Sequence, residues 1–344
     1  MKVIEAINLG LHRAFEKDPS VLLIGEDLLD PYGGAFKAGK GLSSRYPDRV
    51  LTTPVSEAGI VGLSAGLALR GFRPVTEIMF GDFLLLAADQ IINHVAKYRW
   101  MYHEQVSVPL VIRAPMGGRR GYGPTHSQSL EKHLLGTPHL RVVALSPVHR
   151  PDILLEQIIL NAKDPTIVIE NKTTYAHSLL EDSPGHWNIR QIGDDCPTTL
   201  LSLGDFEEAD VTLITYGGMT PIAMQAAEEL MMEEEVTVEI ASLSSLQPLP
   251  IRDLEDSIKR SRVVLIAEEA SEAYGVGSEI SHQVTGLFFD LLKLAPQRVG
   301  ALEFPIGNSP VLEDVILPGR ERLVTKIKET LERAKVSSER QNGL

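Results

Sequence analysis

One cysteine, Cys196, stands in 344 residues. An internal disulfide is therefore excluded, and a cysteine-based metal centre lacks its ligands. Such sparing use fits a reducing compartment. Positive charge is the minority: 33 Lys and Arg face 46 Asp and Glu, for a net charge of −13. That balance argues against nucleic acid and anionic membranes as partners and would suit basic protein surfaces. Long apolar runs are also lacking. The longest, residues 83–88, is far too short to span a bilayer. Residues 1–15 carry no apolar segment behind a positive flank, so no signal peptide is expected there. These exclusions predict a soluble protein in the cytoplasm.

What is present suffices for two ordinary folded domains: 43% of residues are hydrophobic and 23% charged. Val3, Ile4, Ile7, Leu11 and Phe15 recur at helical spacing, which predicts a helix over residues 1–17. Short apolar runs predict strands at 21–24, 49–53, 74–80, 109–113, 141–145 and 166–170. Helices are expected at 57–70, 83–102 and 151–161. This alternation predicts an α/β domain with a mainly parallel sheet covered on both faces. A second unit of the same class is expected from residue 210, with strands at 211–215, 236–240 and 263–267 and helices at 221–233 and 323–334. Residues 176–210 are rich in Ser, Pro, Gly and Asp and lack periodicity. The expected domains are thus 1–178 and 210–335, with a linker at 179–209 and a frayed tail at 336–344.

Ligands of parallel sheets bind beyond the carboxyl ends of the strands, so the segments there carry the chemistry. Thr52-Thr53-Pro54-Val55-Ser56-Glu57 places an acid in the first turn of a helix. By spacing alone Glu57 reads first as a favourable charge at a helix N-terminus, and second as a catalytic acid. Glu77-Ile78-Met79-Phe80-Gly81-Asp82-Phe83 offers Met79 and Phe83 as an apolar wall or as ordinary core. The run from Met116 to Gln128 is a glycine-rich loop ending in His126. It lacks the nucleotide-binding glycine patterns. His126 is either a neutral-range acid–base group or a surface histidine.

Taken together, the segments are specific. Gly25-Glu26-Asp27, Tyr32-Gly33-Gly34-Ala35-Phe36, Thr53-Pro54-Val55-Ser56-Glu57, Asp89-Gln90-Ile91-Ile92-Asn93, Ala96-Lys97-Tyr98-Arg99 and His126-Ser127-Gln128-Ser129 occur in that order. Glu268-Glu269, Tyr274-Gly275-Val276-Gly277 and Leu312-Glu313 continue the series. Along nearly its whole length the chain resembles the beta subunits of thiamine-diphosphate-dependent 2-oxo acid dehydrogenases of the pyruvate, branched-chain and acetoin types. The resemblance implies a pyrimidine-binding domain followed by a transketolase C-terminal-type α/β domain. It implies that Glu57 hydrogen-bonds the ring nitrogen of the cofactor's aminopyrimidine, favouring the imino tautomer that removes the thiazolium proton. Met79 and Phe83 match positions packed around the pyrimidine. His126 matches the histidine that assists acyl transfer to lipoamide, and Glu26 lies near the same place.

In this class the diphosphate is held through a divalent metal by a Gly-Asp-Gly motif. The pairs Gly81-Asp82, Gly193-Asp194 and Gly204-Asp205 each lack the third glycine. The resemblance therefore implies an alpha subunit that holds the metal, magnesium being expected, in an alpha2beta2 assembly with the cofactor between chains. A lipoyl acyltransferase core protein is the further partner implied, and a 2-oxo acid the substrate. There are departures. The glycine-rich loop carries Arg119 and Arg120, Gly136-Thr137-Pro138-His139-Leu140 replaces the usual Pro-Gly-Leu, Gly39 stands where threonine is common, and Ala162 removes a plausible potassium ligand near residues 161–164. The arginines motivate an alternative, a carboligase or acyl-transfer subunit of a specialised pathway on the same scaffold. Glu57 and His126 count against a third reading, a non-catalytic scaffold subunit.

Overall fold

Apolar residues in short uninterrupted runs form strands buried on both faces, and Val21-Leu22-Leu23-Ile24 is such a run. The computed structural model describes residues 1–182 and 184–342. They divide into two units: Met1–Gly117 with Thr125–Leu179, and Gly118–Pro124 with the chain from Leu180 onward.

The strands of the first unit are β1 (Val21–Gly25), β2 (Val50–Thr52), β3 (Arg73–Glu77), β4 (Val111–Met116), β5 (Arg141–Leu145) and β6 (Thr166–Asn171). They pair in parallel in the order β5-β6-β4-β3-β1-β2. The helix Val3–Lys17 buries Val3, Ile7, Leu11 and Phe15 and packs on the helix Pro151–Asn161. In the second unit the strand order is Gln297–Ala301, Val264–Ser271, Val211–Tyr216, Val238–Leu243, Thr198–Ser202 and Asn188–Ile192. The first four run parallel and the last two add antiparallel. No helix among the described residues is long and apolar enough to cross a membrane.

Three elements differ from expectation. The stretch expected as a linker, 179–209, is folded: Thr198–Ser202 is buried throughout and pairs with Val238–Leu243, and Asn188–Ile192 pairs with it in turn. Turn-forming residues flank both strands and mask them, while antiparallel pairing needs no crossover helix to announce it. The single helix expected over 83–102 is three segments: a 3-10 stretch Gly81–Ala87, a π stretch Gln90–Val95 and an α-helix Ala96–Met101. Apolar residues recur through all three without fixing the hydrogen-bond register of a helix; π segments concentrate at functional sites. The last helix runs Arg320–Asn342, past the expected fray at residue 336, because no Gly or Pro interrupts it before Gly343. Gly343 and Leu344 lie outside the described residues.

Three strands of the first sheet are tied by charge. Arg113 on β4 is fully buried and is the register partner of Glu77 on β3. Its Nη1 donates to Glu77 Oε2 at 2.7 Å, its Nε to Glu170 Oε1 at 2.7 Å and its Nη2 to Glu170 Oε2 at 2.8 Å. The Tyr175 hydroxyl donates to Glu170 Oε2 at 2.6 Å. Burial opposes the charge on Arg113, but Glu170 and Glu77 outweigh it and raise its proton affinity. Burial pushes Glu77 upward against the pull of Arg113. Gly34 faces the same carboxylate. At φ +86° a side chain is strained, and a Cβ would stand 2.2 Å from Glu77 Oε1. Removing one member of a buried charge network leaves the others uncompensated. Arg113→Leu is expected to destabilise the protein by about 3–5 kcal/mol. Chemical denaturation checks this, and a loss below about 1 kcal/mol would fall in the surface-pair range.

Candidate active site

The carboxyl ends of β1 to β4 and β6 carry the site. Glu57 opens the helix Glu57–Leu69 and is 7% exposed. Glu26 follows β1 directly and is 6% exposed. Burial, then Glu57, then Asp27 push the Glu26 carboxyl upward, and the Ser56 amide offsets this in part. The two acids are therefore neighbours. The Thr53 amide donates to Gly25 O at 2.9 Å and places the segment between them. The Thr53 hydroxyl is buried with no hydrogen-bond partner among the described residues. A cavity of about 440 Å³ lined by Asp27, Leu29, Tyr32 and Thr52 opens at these strand ends.

The second half of the site is aromatic. Phe83 and Met79 are half-buried. The His126 ring meets Phe80 edge-on at 4.9 Å and Phe83 at 5.2 Å between centroids. His126 Nδ1 lies 2.9 Å from Thr125 Oγ1. Phe36, from the Gly33-Gly34 loop, packs on Phe80 at 5.6 Å and on Tyr175 at 5.4 Å. The fold thus brings Glu26 to Glu57 and Phe83 to His126. No hydrogen bond or ring contact joins one pair to the other among the described residues.

Sequence reasoning missed three residues here. Phe80 lies inside a segment already marked, but nothing distinguished it from core. Asp82 Oδ1 accepts from the Gln128 amide at 3.2 Å and from Gln128 Nε2 at 2.9 Å, so it anchors the loop after His126. Lys172, fully buried just beyond β6, donates to the His126 carbonyl at 2.8 Å. No sequence signal marks a buried lysine at a strand end.

The glycine-rich loop has a different setting. Gly118–Pro124 belongs to the second unit. The Gly118 amide donates to Glu269 at 2.8 Å and the Gly121 amide to Glu313 at 3.1 Å. Arg119 pairs with Asp314 at 2.8 Å and donates to Pro318 O at 2.9 Å. Arg120 is exposed and lies over the Tyr122 ring at 5.8 Å. Arg119 is thus committed to holding the loop.

The transketolase pyrimidine-binding domain family matches residues 1–177, and the transketolase C-terminal domain family matches residues 205–323. Pyruvate dehydrogenase E1 component subunit beta-1 of Oryza sativa is 34% identical over 336 residues, covering 97% of this chain and 87% of that one. The chain belongs to the E1 beta subunit family of 2-oxo acid dehydrogenases. Two further members widen the range. Acetoin:2,6-dichlorophenolindophenol oxidoreductase subunit beta of Cupriavidus necator is 32% identical, covering 96% of this chain and 97% of that one. The 3-methyl-2-oxobutanoate dehydrogenase subunit beta of Mycobacterium tuberculosis is 31% identical, covering 96% and 92%. A solved split-gene transketolase, an inactive beta4 tetramer, superposes with TM-score 0.75 at 19% identity, covering 97% of this chain and 99% of that one, and shares the fold.

In this E1 beta fold, Glu26 and Glu57 are buried neighbours, and neither has an ion-pair partner among the described residues. A carboxyl whose folded pKa is raised stabilises the fold only while protonated, and that contribution is lost as pH rises through the raised value. Ionised Glu26 is therefore a liability near neutrality. Glu26→Gln is expected to raise the melting temperature near pH 8, and the gain should shrink as pH falls toward about 5. Thermal unfolding across that range checks it; a gain that grows on acidification contradicts it.

Proposed function

We propose that this chain is the beta half of a thiamine-diphosphate-dependent 2-oxo acid dehydrogenase, with Glu57, Met79, Phe83, Glu26 and His126 facing the cofactor. The observation that carries the reading is Glu57. It is a buried carboxylate at a helix start, and no hydrogen bond or ion pair holds it to another described side chain. Its neighbour Glu26 is a like charge. Such a group can accept a hydrogen bond from a ligand, and a protonated ring nitrogen is such a donor. Phe83 and Met79 offer a half-apolar wall for a flat heterocycle, and the buried Thr53 hydroxyl is a further unmet polar group. The donor set fits the aminopyrimidine end of the cofactor.

When bound, thiamine diphosphate supplies the carbon nucleophile that adds to a 2-oxo group. This chain's residues bind, orient and move protons. Glu57 holds the proton at the ring nitrogen. His126, its Nδ1 beside Thr125 and its ring gripped by two phenylalanines, presents Nε2 for proton delivery during acyl transfer to a lipoyl protein. The metal-bound diphosphate belongs to an alpha subunit, magnesium being the expected ion, in an alpha2beta2 heterotetramer. The support is the missing Gly-Asp-Gly motif. A lipoyl acyltransferase is the next partner, and a cytoplasmic location fits the single cysteine.

Co-purification with the alpha chain, light scattering and a screen of 2-oxo acids test the assembly and activity. The beta chain alone should be inactive. In the complex, Glu57→Gln should preserve assembly and lower the rate by about two to four orders of magnitude. Activity within about tenfold of wild type would leave Glu57 as a helix-terminus charge.

The acyl-transfer role of His126 has its own test. His126→Ala should lower the rate with a lipoyl domain far more than the rate with an artificial electron acceptor, which bypasses the lipoyl step. An equal fall in both would place His126 at an earlier step.

A further inference from the structure

Lys172 is fully buried, yet its ε-amine lies against the peptide that carries His126. A buried amine is costly to desolvate and needs acceptors. A position that only filled space would be served by an aliphatic side chain. The surrounding geometry aims this amine. The Lys172 amide donates to Met116 O at 3.0 Å, fixing the backbone to the end of β4. Asn171 Oδ1 accepts from the Thr173 amide at 3.0 Å, and Thr174 Oγ1 donates to Asn171 O at 2.8 Å, so the turn after β6 is closed. From there Nζ reaches the His126 carbonyl at 2.8 Å and lies 5.2 Å from the centroid of Phe80, the ring that meets the imidazole edge-on. On the other side, Asp82 holds Gln128 through two hydrogen bonds, and the Gly117 amide donates to Gln128 O at 3.2 Å.

We propose that Lys172 is the positioning residue of the proposed active-site histidine: its amine fixes the His126 carbonyl and braces Phe80, holding the imidazole between Phe80 and Phe83. The proposal rests on the reading of His126 as the acyl-transfer group. It extends that reading to a side chain that touches neither substrate nor cofactor.

The test uses the assembled enzyme with its alpha chain and compares Lys172→Met, Lys172→Arg and His126→Ala. Two readouts are taken: kcat and KM of the lipoyl-dependent reaction, and the rate at which diethyl pyrocarbonate modifies His126, followed by peptide mass spectrometry. Misplacing a reacting group by about 1 Å can cost a hundredfold in rate. For Lys172→Met, kcat is expected to fall about tenfold to a hundredfold with KM for the 2-oxo acid little moved. His126 labelling should quicken severalfold as the ring loosens, and Lys172→Arg, which keeps N–H donors, should recover much of both. Unchanged labelling in Lys172→Met overturns the proposal, whatever the rate does. If His126→Ala keeps full lipoyl-dependent activity, the reading of His126 itself fails. If His126→Ala is impaired while Lys172→Met retains wild-type kcat and labelling, only the role of Lys172 fails.

Discussion

A guanidinium with no solvent exposure sits in the middle of the first sheet, and much of the site depends on how it is satisfied. Arg113 is held in a fork by Glu170 and from the side by Glu77, on the two strands that flank β4. Burying charge in this way gives little net stability over an apolar core, but it tolerates few alternative arrangements. Three strand ends are thereby fixed in register where their loops leave the sheet. The consequences run outward by contact. Glu77 faces Gly34, so the Gly33-Gly34 loop has one way to pass. That loop delivers Phe36, which fills the space between Tyr175 and Phe80. Tyr175 is itself bonded to Glu170, and Phe80 packs on His126. The imidazole is thus set by a chain of contacts that begins at a buried ion network.

This explains what was legible in the sequence. β1, β4, β5 and β6 were readable because a parallel sheet buried on both faces leaves continuous apolar runs, as in Val111-Ile112 and Ile167-Val168. Glu57 and His126 stood out because each lies beyond a strand and inside a motif of the family, and they remain the proposed site residues. The second domain was placed from three of its parallel strands; the fourth, Gln297–Ala301, was missed, and its two antiparallel strands were lost among Asp and Pro residues. Arg113, Glu77 and Glu170 form one cluster only through β-pairing, Arg113 lying 36 residues from Glu77 and 57 from Glu170, which no local pattern reports. Lys172 and Asp82 act on the His126 loop from 46 residues away in each direction. Residues that touch chemistry leave motifs, whereas residues that hold them leave only a composition that reads as core.

The arginines of the glycine-rich loop show how misleading a departure can be when read alone. Unusual positive charge near a strand end suggested different substrate chemistry. Within the second unit, Arg119 instead pairs with Asp314 and bonds Pro318 O, while Glu269 and Glu313 take the amides of Gly118 and Gly121. Glycine amides directed at carboxylates give the loop a fixed course that needs no ligand. The motifs Glu268-Glu269 and Leu312-Glu313 acquire a physical role from this: Glu269 and Glu313 receive the loop. Substrate choice in this family must then be sought in groups other than Arg119.

Glu26 and Glu57 stand as the counterweight to that economy. Every other buried acid at these strand ends has a cation or a hydroxyl: Glu77 and Glu170 have Arg113, and Glu170 has Tyr175. Glu26 and Glu57 are neighbours instead, and burial first, then the like charge of Glu57, raises the proton affinity of Glu26. A fold selected for stability alone would not keep two neighbouring acids buried beside a cavity. Perturbed carboxyls of this kind gather where protons are moved. The two pairs also differ in what they lack. His126 is held by Thr125, Phe80 and Phe83, whereas Glu57 is placed by its helix and has no side-chain partner among the described residues. On the proposed reading, the histidine half is supported from within the chain and the glutamate half accepts a hydrogen bond from the cofactor.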